Sequence, residues 1–101
     1  MSFVCLVEIE LHFPETGSLK GKRKEVVSLK EQLRRRFGAS VAETAHQDLW
    51  QRAGLTAAIV GRDGNAVESA AAGLERHVLS RFPDGASFRR GVLSAEEMLD
   101  G

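Results

Sequence analysis

Apolar and polar residues alternate over the first strand-length segment of the chain. Every odd position from Phe3 to Phe13 is apolar, whereas the even positions begin with Val4 and Leu6 and then become polar. Successive side chains of a β-strand point to opposite faces of a sheet. The pattern therefore predicts a strand over residues 3–13 that has one buried face and one face that is apolar only at its beginning.

A helical period follows a short loop at residues 14–18. Ser18 is a suitable N-cap for this helix, and Gly38 is a suitable residue to end it. The apolar side chains between these two residues fall within about a quarter of the helical wheel, and they are Leu19, Val26, Leu29, Leu33 and Phe37. The pattern predicts a helix over residues 19–37 that packs one side against a sheet.

A second helix is predicted over residues 66–82. Asp63 or Asn65 would cap it, and Asn65 would do so in a capping box with Glu68. Its apolar positions recur at helical spacing, and they are Val67, Ala71, Leu74, Val78 and Phe82. This helix also presents one apolar stripe, so it should pack against the same sheet.

Three further strands complete the prediction, over residues 39–47, 52–60 and 86–93. The first two are joined by a turn at 48–51, and the third should be a short edge strand because it contains two arginines and a glycine. Residues 94–101 read as an acidic tail or a short helical turn, which the capping-box pattern of Ser94 and Glu97 would begin.

The order strand, helix, strand, strand, helix, strand is that of the ferredoxin-like fold. Right-handed crossovers place the first and third strands in the centre of the sheet and the other two at its edges. We therefore predict one α+β domain over residues 1–101, with a four-stranded antiparallel sheet and both helices on one face. The other face of the sheet should be open.

Charge is unevenly distributed, although the net charge of the chain is zero. Residues 19–37 contain eight basic and two acidic side chains, so this segment carries +6 and the remainder carries −6. The chain is too neutral to bind nucleic acid by its overall charge, so such binding would have to be local. One interpretation is a site for RNA or another polyanion, and the other is a merely solvated helix surface. The predicted anion-binding residues are Lys20, Lys22, Arg23, Lys24, Lys30, Arg34 and Arg35.

The open sheet face predicts a different kind of contact. RNA-recognition domains of this fold stack bases on aromatic side chains, and the open face expected here has none. Its apolar positions, Val4, Leu6, Ala58 and Val60, would instead form the interface of a homodimer. The alternative is that the C-terminal segment covers them with Met98 and Leu99.

Trp50 and Arg52 lie in or beside the turn between the two middle strands. A tryptophan at such a place commonly covers the edge of the core, but paired with an arginine it can also grip a base or a partner side chain. We keep both interpretations and predict Trp50 and Arg52 as a partner-contact pair.

Catalytic chemistry is not predicted. Glu8, Glu10 and His12 follow one another on one face of the first strand, and a surface polar row explains them better than a metal site. Cys5 should be buried without a neighbouring base. We therefore expect no enzyme, no cofactor and no metal, and no readout of a DNA sequence.

Three stretches together resemble the YlxP family of small bacterial proteins of unknown function. The stretches are Glu8-Ile9-Glu10-Leu11-His12, then Ser18-Leu19-Lys20-Gly21-Lys22-Arg23 in the helix that ends with Arg34-Arg35-Arg36-Phe37, and Val41-Ala42-Glu43 followed by residues 47–53. The resemblance covers roughly residues 3 to 93. It departs from the family at Gly21, where relatives usually have an acid.

The resemblance implies a ferredoxin-like fold and a bacterial, cytoplasmic protein. Genes of this family often lie beside those of ribosome-binding factor A and translation initiation factors, which hints at work on RNA or ribosomes. No catalytic residues carry over. The chain has no basic leader and no run of the about 20 apolar residues that cross a membrane. We therefore predict an RNA- or ribosome-associated accessory factor. The alternative is a non-catalytic homodimeric module for structure or protein interaction.

Overall fold

Four antiparallel strands form one sheet in the computed structural model, which describes residues 1–13 and 17–100. The strands are β1 (Phe3–His12), β2 (Ser40–Ala45), β3 (Arg52–Gly61) and β4 (Ala86–Ser94). Their order across the sheet is β2, β3, β1, β4, so the predicted central and edge positions are confirmed. The predicted loop before the first helix includes residues 14–16, which lie outside the described residues.

The two long helices, α1 (Leu19–Phe37) and α2 (Gly64–Arg81), cover one face of the sheet. The predicted limits of α1 are confirmed. The hydroxyl of Ser18 accepts a hydrogen bond from the Gly21 N–H at 3.1 Å, and Gly38 ends the helix with a φ of 64°. Glycine adopts that left-handed conformation without a steric penalty, which is why helices so often end at it.

The start of α2 differs from the prediction. Asp63 is the N-cap, and its carboxylate accepts the Asn65 N–H at 3.0 Å. Asn65 therefore lies inside the helix, and the predicted capping box between Asn65 and Glu68 is wrong. Asp63 rather than Asn65 caps the helix, and the negative charge of its carboxylate is also favourable at the positive end of the helix dipole.

The core lies between the helices and the odd-numbered face of β1. Side chains on that face are at most 4% exposed from Cys5 to Phe13, and Leu29, Leu33, Leu74 and Val78 of the helices are fully buried. Leu55, Ala57 and Ile59 complete the core from β3, as the alternation predicted. Burial raises the pKa of the Cys5 thiol, so this residue behaves as a small apolar side chain.

The edge strands differ from the prediction in opposite ways. β2 is shorter than expected and ends at Ala45, because His46 turns the chain with a φ of 63°. β4 is not a short strand, since it runs for nine residues and pairs with β1 along its whole length. Charged side chains on an edge strand do not prevent pairing with its inner neighbour, because they point away from the ladder.

A third helix, α3 (Ala95–Asp100), follows β4 directly. The capping box that predicted it is present, because the Ser94 hydroxyl accepts the Glu97 N–H and a Glu97 carboxylate oxygen accepts the Ser94 N–H, each at 3.0 Å. Hydrogen bonds to this carboxylate from the Ser94 backbone N–H and, as the smaller effect, from the Ser94 side chain lower the pKa of Glu97. No helix in the described part of the chain has the length and apolar character needed to cross a membrane.

Candidate anion-binding surface and open sheet face

Six of the seven basic residues predicted to bind an anion lie on the outer side of α1. We call them the α1 basic strip: Lys20, Arg23, Lys24, Lys30, Arg34 and Arg35. Lys30 is half-buried and the others are exposed. Val27 lies between them at 59% exposure, so the middle of the strip faces solvent.

The charge of the strip is not neutralised within the described residues. None of its six cations has a carboxylate oxygen within 4.0 Å there, although Arg34 donates a hydrogen bond to the Val41 carbonyl at 3.3 Å. The Glu25 carboxylate of α1 is itself paired with Arg81 of α2 at 2.8 Å. The strip is therefore a local positive surface on a neutral chain.

Lys22, the seventh predicted residue, does not belong to this surface. Its side chain is fully buried, and its ammonium lies 2.9 Å from the carboxylate of Glu43 on β2. That contact is an ion pair without the geometry of a hydrogen bond. The ammonium donates its hydrogen bonds instead to the carbonyls of His46, at 2.6 Å, and Gln47, at 3.4 Å. Lys22 thus fixes the hairpin and cannot contact an external anion.

The sequence contained a signal for this buried lysine. Position 22 precedes Val26 and Leu29 by four and seven residues, so Lys22 lies on the apolar stripe of α1. Glu43 likewise pairs with core-facing Leu55 across the sheet. A cation and a carboxylate that both occupy core-facing positions predict a buried pair, because neither charge is stable there alone.

The turn that Lys22 holds also joins the open face of the sheet. His46 has an unfavourable left-handed backbone, and the ammonium of Lys22 binds its carbonyl. The His46 ring lies 3.2 Å from a carboxylate oxygen of Glu10, and Arg52 donates to the other oxygen at 3.4 Å. These contacts fix the position of the hairpin relative to β1. The local sequence pattern does not predict these contacts.

Trp50 is 40% exposed in the same turn, so it is only partly used as a cover for the core edge. The guanidinium of Arg52 is directed to Glu10. The cation–π contact that the described residues contain is between Arg81 and Phe82, at 5.5 Å. Trp50 and Arg52 therefore do not form a stacked pair, and their role as a partner contact stays a prediction.

His77 of α2 connects the two helices on their outer side. Its Nε2–H donates to the Gln32 side-chain carbonyl at 2.7 Å, and its Nδ1 faces a guanidinium nitrogen of Arg36 at 3.5 Å. Burial lowers the pKa of His77, and the nearby positive charges of Arg36 and Arg81 lower it further. The ring is therefore kept neutral between the helices.

The open face is formed by the even-numbered residues of β1 and their partners in neighbouring strands. Val4 lies between Val60 of β3 and Leu93 of β4, and Leu6 lies between Ala58 and Gly91. The next two rows are Thr56, Glu8, Arg89 and Gly54, Glu10, Ser87. The predicted set Val4, Leu6, Ala58 and Val60 is thus brought together at one end of the face, which we call the apolar end.

The apolar end is partly open to solvent. Leu6 is 45% exposed, Val60 69% and Leu93 43%. A depression of about 400 Å³ lies over Gly91, and Met98 of α3 forms part of its wall. The predicted C-terminal cover is therefore only partial, since Met98 borders the depression while Leu99 remains 79% exposed.

The other end of the open face is charged, and its charges are paired. The Arg89 guanidinium donates to Glu8 at 3.0 Å across β1 and β4. Glu8, Glu10 and His12 do not converge, and the described residues contain no cluster of three or more His, Cys, Asp or Glu side chains that could hold a metal ion. Glu8 is held in a surface ion pair with Arg89, and Glu10 in one with Arg52.

Comparisons with known proteins agree with this fold. The de novo designed protein Foldit4 superposes with a TM-score of 0.56 at 10% identity, covering 93% of this chain and 98% of that one. SnoaB, a cofactor-independent oxygenase from Streptomyces nogalater, gives 0.54 at 16% identity and covers 94% of both chains. The designed protein Ferredog-Diesel gives 0.50 at 17% identity, over 87% of this chain and 83% of that one. Such low identities show the fold alone.

At the level of sequence, the comparison with curated proteins found no match. A family model does match, over residues 4–85, and its description is a protein of unknown function, DUF503. The match begins at the second residue of β1 and ends at Gly85, the residue before β4. This chain therefore belongs to the DUF503 family of proteins of unknown function.

Proposed function

We propose that this protein is a non-catalytic accessory factor that binds structured RNA, on or near the ribosome, through the α1 basic strip. The observation that supports this function is the strip itself, whose six cations have no carboxylate partner within the described residues. Phosphate groups are the abundant anions that neutralise such a row, and they release counterions when they do so.

The dimensions of the strip suit a phosphate backbone. Lys20 and Arg35 are fifteen residues apart on one helix, which corresponds to about 22 Å along its axis. Contacts along such a line recognise the shape and charge of a folded RNA rather than its bases. The open sheet face lacks the aromatic side chains with which this fold stacks bases, so the RNA should lie on the helix side.

The resemblance to the YlxP family supports the same proposal. Within DUF503 we assign the chain to the YlxP proteins, on the three sequence stretches that resemble them. The genes of those proteins often lie beside genes for ribosome-binding factor A and translation initiation factors. A small cytoplasmic RNA-binding protein is consistent with that setting.

The test is binding of the native chain to ribosomal RNA fragments at several salt concentrations, compared with two charge-reversed variants. In the first variant Arg23 and Arg35 of the strip are replaced by Glu. In the control, Arg62 and Arg76, both exposed and outside α1, are replaced by Glu, which changes the net charge equally. Six phosphate contacts would weaken native binding by about 10³-fold between 50 and 200 mM salt.

We expect the strip variant to bind at least about tenfold more weakly and to lower the salt slope by about two, since each lost phosphate contact lowers it by about one. The control should retain the native slope. The proposal fails if native binding does not depend on salt, or if the two variants weaken binding equally.

A second candidate function is a homodimeric interaction module. The exposed apolar end of the open face favours it, because monomers seldom leave such a patch uncovered on a sheet that lacks a second layer. Light scattering of the native protein at about 100 µM is the direct check, since a dimer of modest area dissociates in the micromolar range. A purely monomeric sample would eliminate this candidate without affecting the RNA-binding proposal.

A further inference from the structure

We propose that a second copy of this chain covers the open face in one particular arrangement. The two-fold axis lies in the plane between the two sheets and runs parallel to the strands, above the gap between β1 and β4. In this arrangement β1 of each copy lies over β4 of the other. This inference rests on the homodimer named as the second candidate function. It does not depend on RNA binding, because the α1 basic strip lies on the opposite side of the sheet.

The first reason is complementarity of shape. Leu6 and Gly91 are neighbours in the pairing of β1 with β4. Leu6 projects from the face at 45% exposure, whereas Gly91 leaves a depression in which an added Cβ would meet nothing within 4 Å. A two-fold axis between these strands exchanges their positions, so each Leu6 enters the depression over Gly91 of the other copy.

The second reason is complementarity of charge in the next row of the sheet. Glu8 and Arg89 are also neighbours across β1 and β4. The same axis places Glu8 of each copy over Arg89 of the other, so two pairs within the chains become a group of four alternating charges. Opposite charges that face one another fix the register of an interface and exclude other registers.

Other two-fold arrangements do not combine these features. An axis across the strands keeps β1 of one copy over β1 of the other, so Glu8 never lies over Arg89. Where such an axis crosses the middle of the strands, it also places the apolar end of one copy over the charged end of the other. An axis between β1 and β3 would place Leu6 over Ala58 and Arg89 over Ala42, without an opposite charge. The axis between β1 and β4 satisfies both the shape and the charge of the face.

The proposed contact is small. Two strands are about 10 Å wide, and interfaces of standard size bury about 800 Å² per partner. We therefore expect a dimer with a dissociation constant in the micromolar range. Sedimentation or light scattering between about 10 and 500 µM covers that range.

The decisive experiment mixes two charge-reversed variants. Glu8→Arg makes this row of the interface wholly cationic, and Arg89→Glu makes it wholly anionic. Each variant alone should dimerise at least about tenfold more weakly than the native chain, because like charges then face one another. An equimolar mixture should form a heterodimer of nearly native affinity, although the pair within each chain is still broken.

A matched control uses the next ion pair on the same face. Glu10→Arg and Arg52→Glu break the contact between β1 and β3. Arg52 lies on β3, outside the proposed overlap, and Glu10 would lie over the uncharged Ser87 of the other copy. Each of these variants should dimerise nearly as the native chain does, and mixing them should change nothing. Surface pairs contribute little to stability, so all four variants should remain folded, which circular dichroism can verify.

Two further variants separate the arrangement from the dimer itself. In Gly91→Leu the added Cβ meets no atom of its own chain within 4 Å and the side chain occupies the depression, so this variant should fold and be monomeric. Leu6→Glu should abolish any dimer that uses the apolar end. If Leu6→Glu is monomeric but the mixture fails to associate or Gly91→Leu still dimerises, the arrangement is wrong and the sheet-face dimer stands. If the native chain is monomeric throughout, or Leu6→Glu remains dimeric, both are wrong.

Discussion

The two faces of the sheet are formed by the same strands but differ in the composition and exposure of their side chains. On the face that the helices cover, the side chains of β1 from Cys5 to Leu11 are at most 2% exposed and all apolar. On the open face, the side chains of β1 change along the strand from apolar and partly exposed to charged and paired. One face is uniform along the strand and the other is graded.

This difference separates what specifies the fold from what is available for contacts. The covered face needs only apolar residues at alternate positions, so many sequences satisfy it. The graded face is not required for a ferredoxin-like fold, since its side chains contribute little to the core. Residues such as Leu6, Glu8 and Arg89 are therefore free to meet the demands of an interaction, as are the exposed cations of the α1 basic strip.

The largest expected effect concerns the one charged side chain that is buried on the covered side within the described residues. Lys22→Met should lower the free energy of unfolding by about 3 kcal/mol, because it leaves the Glu43 carboxylate and two backbone carbonyls without their cation. Lys24→Met removes the same charge from the exposed side of α1 and should change stability by less than about 0.5 kcal/mol. Urea denaturation of both variants measures the difference.

A double variant tests whether the loss comes from the unpaired carboxylate. Lys22→Met combined with Glu43→Leu should recover part of the stability, since an apolar pair can replace a buried ion pair. Equal stability of Lys22→Met and Lys24→Met would show that the covered side tolerates the loss of the Lys22 ammonium, and the contrast between the two faces would be weaker than described.

Two glycines of the open face should respond in opposite ways to the same substitution. Gly54→Ala would place its Cβ 2.7 Å from the Cβ of Ala45, so it should destabilise the chain by about 1–2 kcal/mol. Gly91→Ala meets nothing and should stabilise the strand by about 0.5 kcal/mol, because alanine loses less conformational freedom on folding. Melting curves at low protein concentration compare the two variants. A loss of stability in both would contradict the free space around the Gly91 Cα.

The smallest effect concerns pH and arises in the helix layer. The pKa of His77 is lowered by burial, by Arg36 of α1 and by Arg81 of α2, so the folded chain holds a neutral ring. Below about pH 6.5 the unfolded chain binds a proton more readily than the folded chain does. Stability from this group is therefore present above that pH and lost as pH falls through the folded pKa.

His77→Gln should remove that dependence. Its free energy of unfolding should fall less between about pH 7.5 and 5 than that of the native chain, because glutamine does not titrate. Stability can be followed by urea denaturation at each pH. Parallel pH profiles for the two proteins would mean that protonation of His77 costs the fold nothing.

Most of the fold was predictable because the spacing of apolar residues along the chain indicates directly which side chains lie on the covered face. The limits of α1 followed from helical spacing and two capping residues, and the order of the strands followed from the order of the elements and right-handed crossovers. The end of β2 did not follow, because the left-handed turn at His46 depends on a hydrogen bond from Lys22, twenty-four residues earlier in the chain. Long-range polar contacts of this kind are not visible in a local pattern.

The candidate sites were predictable only in part, for the same reason. A count of basic residues in α1 could not distinguish the exposed Arg23 from the buried Lys22, although the helical stripe could have done so. The predicted dimer face contained Leu6 but not its neighbour Gly91, because a glycine carries no hydrophobic signal. What Gly91 contributes is an empty space, which requires knowledge of the strand pairing.

The position of β1 in the middle of the sheet has a consequence during synthesis. Its two partners come late in the chain, because β3 begins at Arg52 and β4 at Ala86, whereas β1 ends at His12. At about 5–20 residues per second, a ribosome needs about 2–8 seconds to add the residues between β1 and β3. During that interval β1 has neither of its partner strands, and α2, the helix that packs against it in the folded chain, is synthesised later still. The apolar side of β1 should therefore stay exposed until the second half of the chain has emerged.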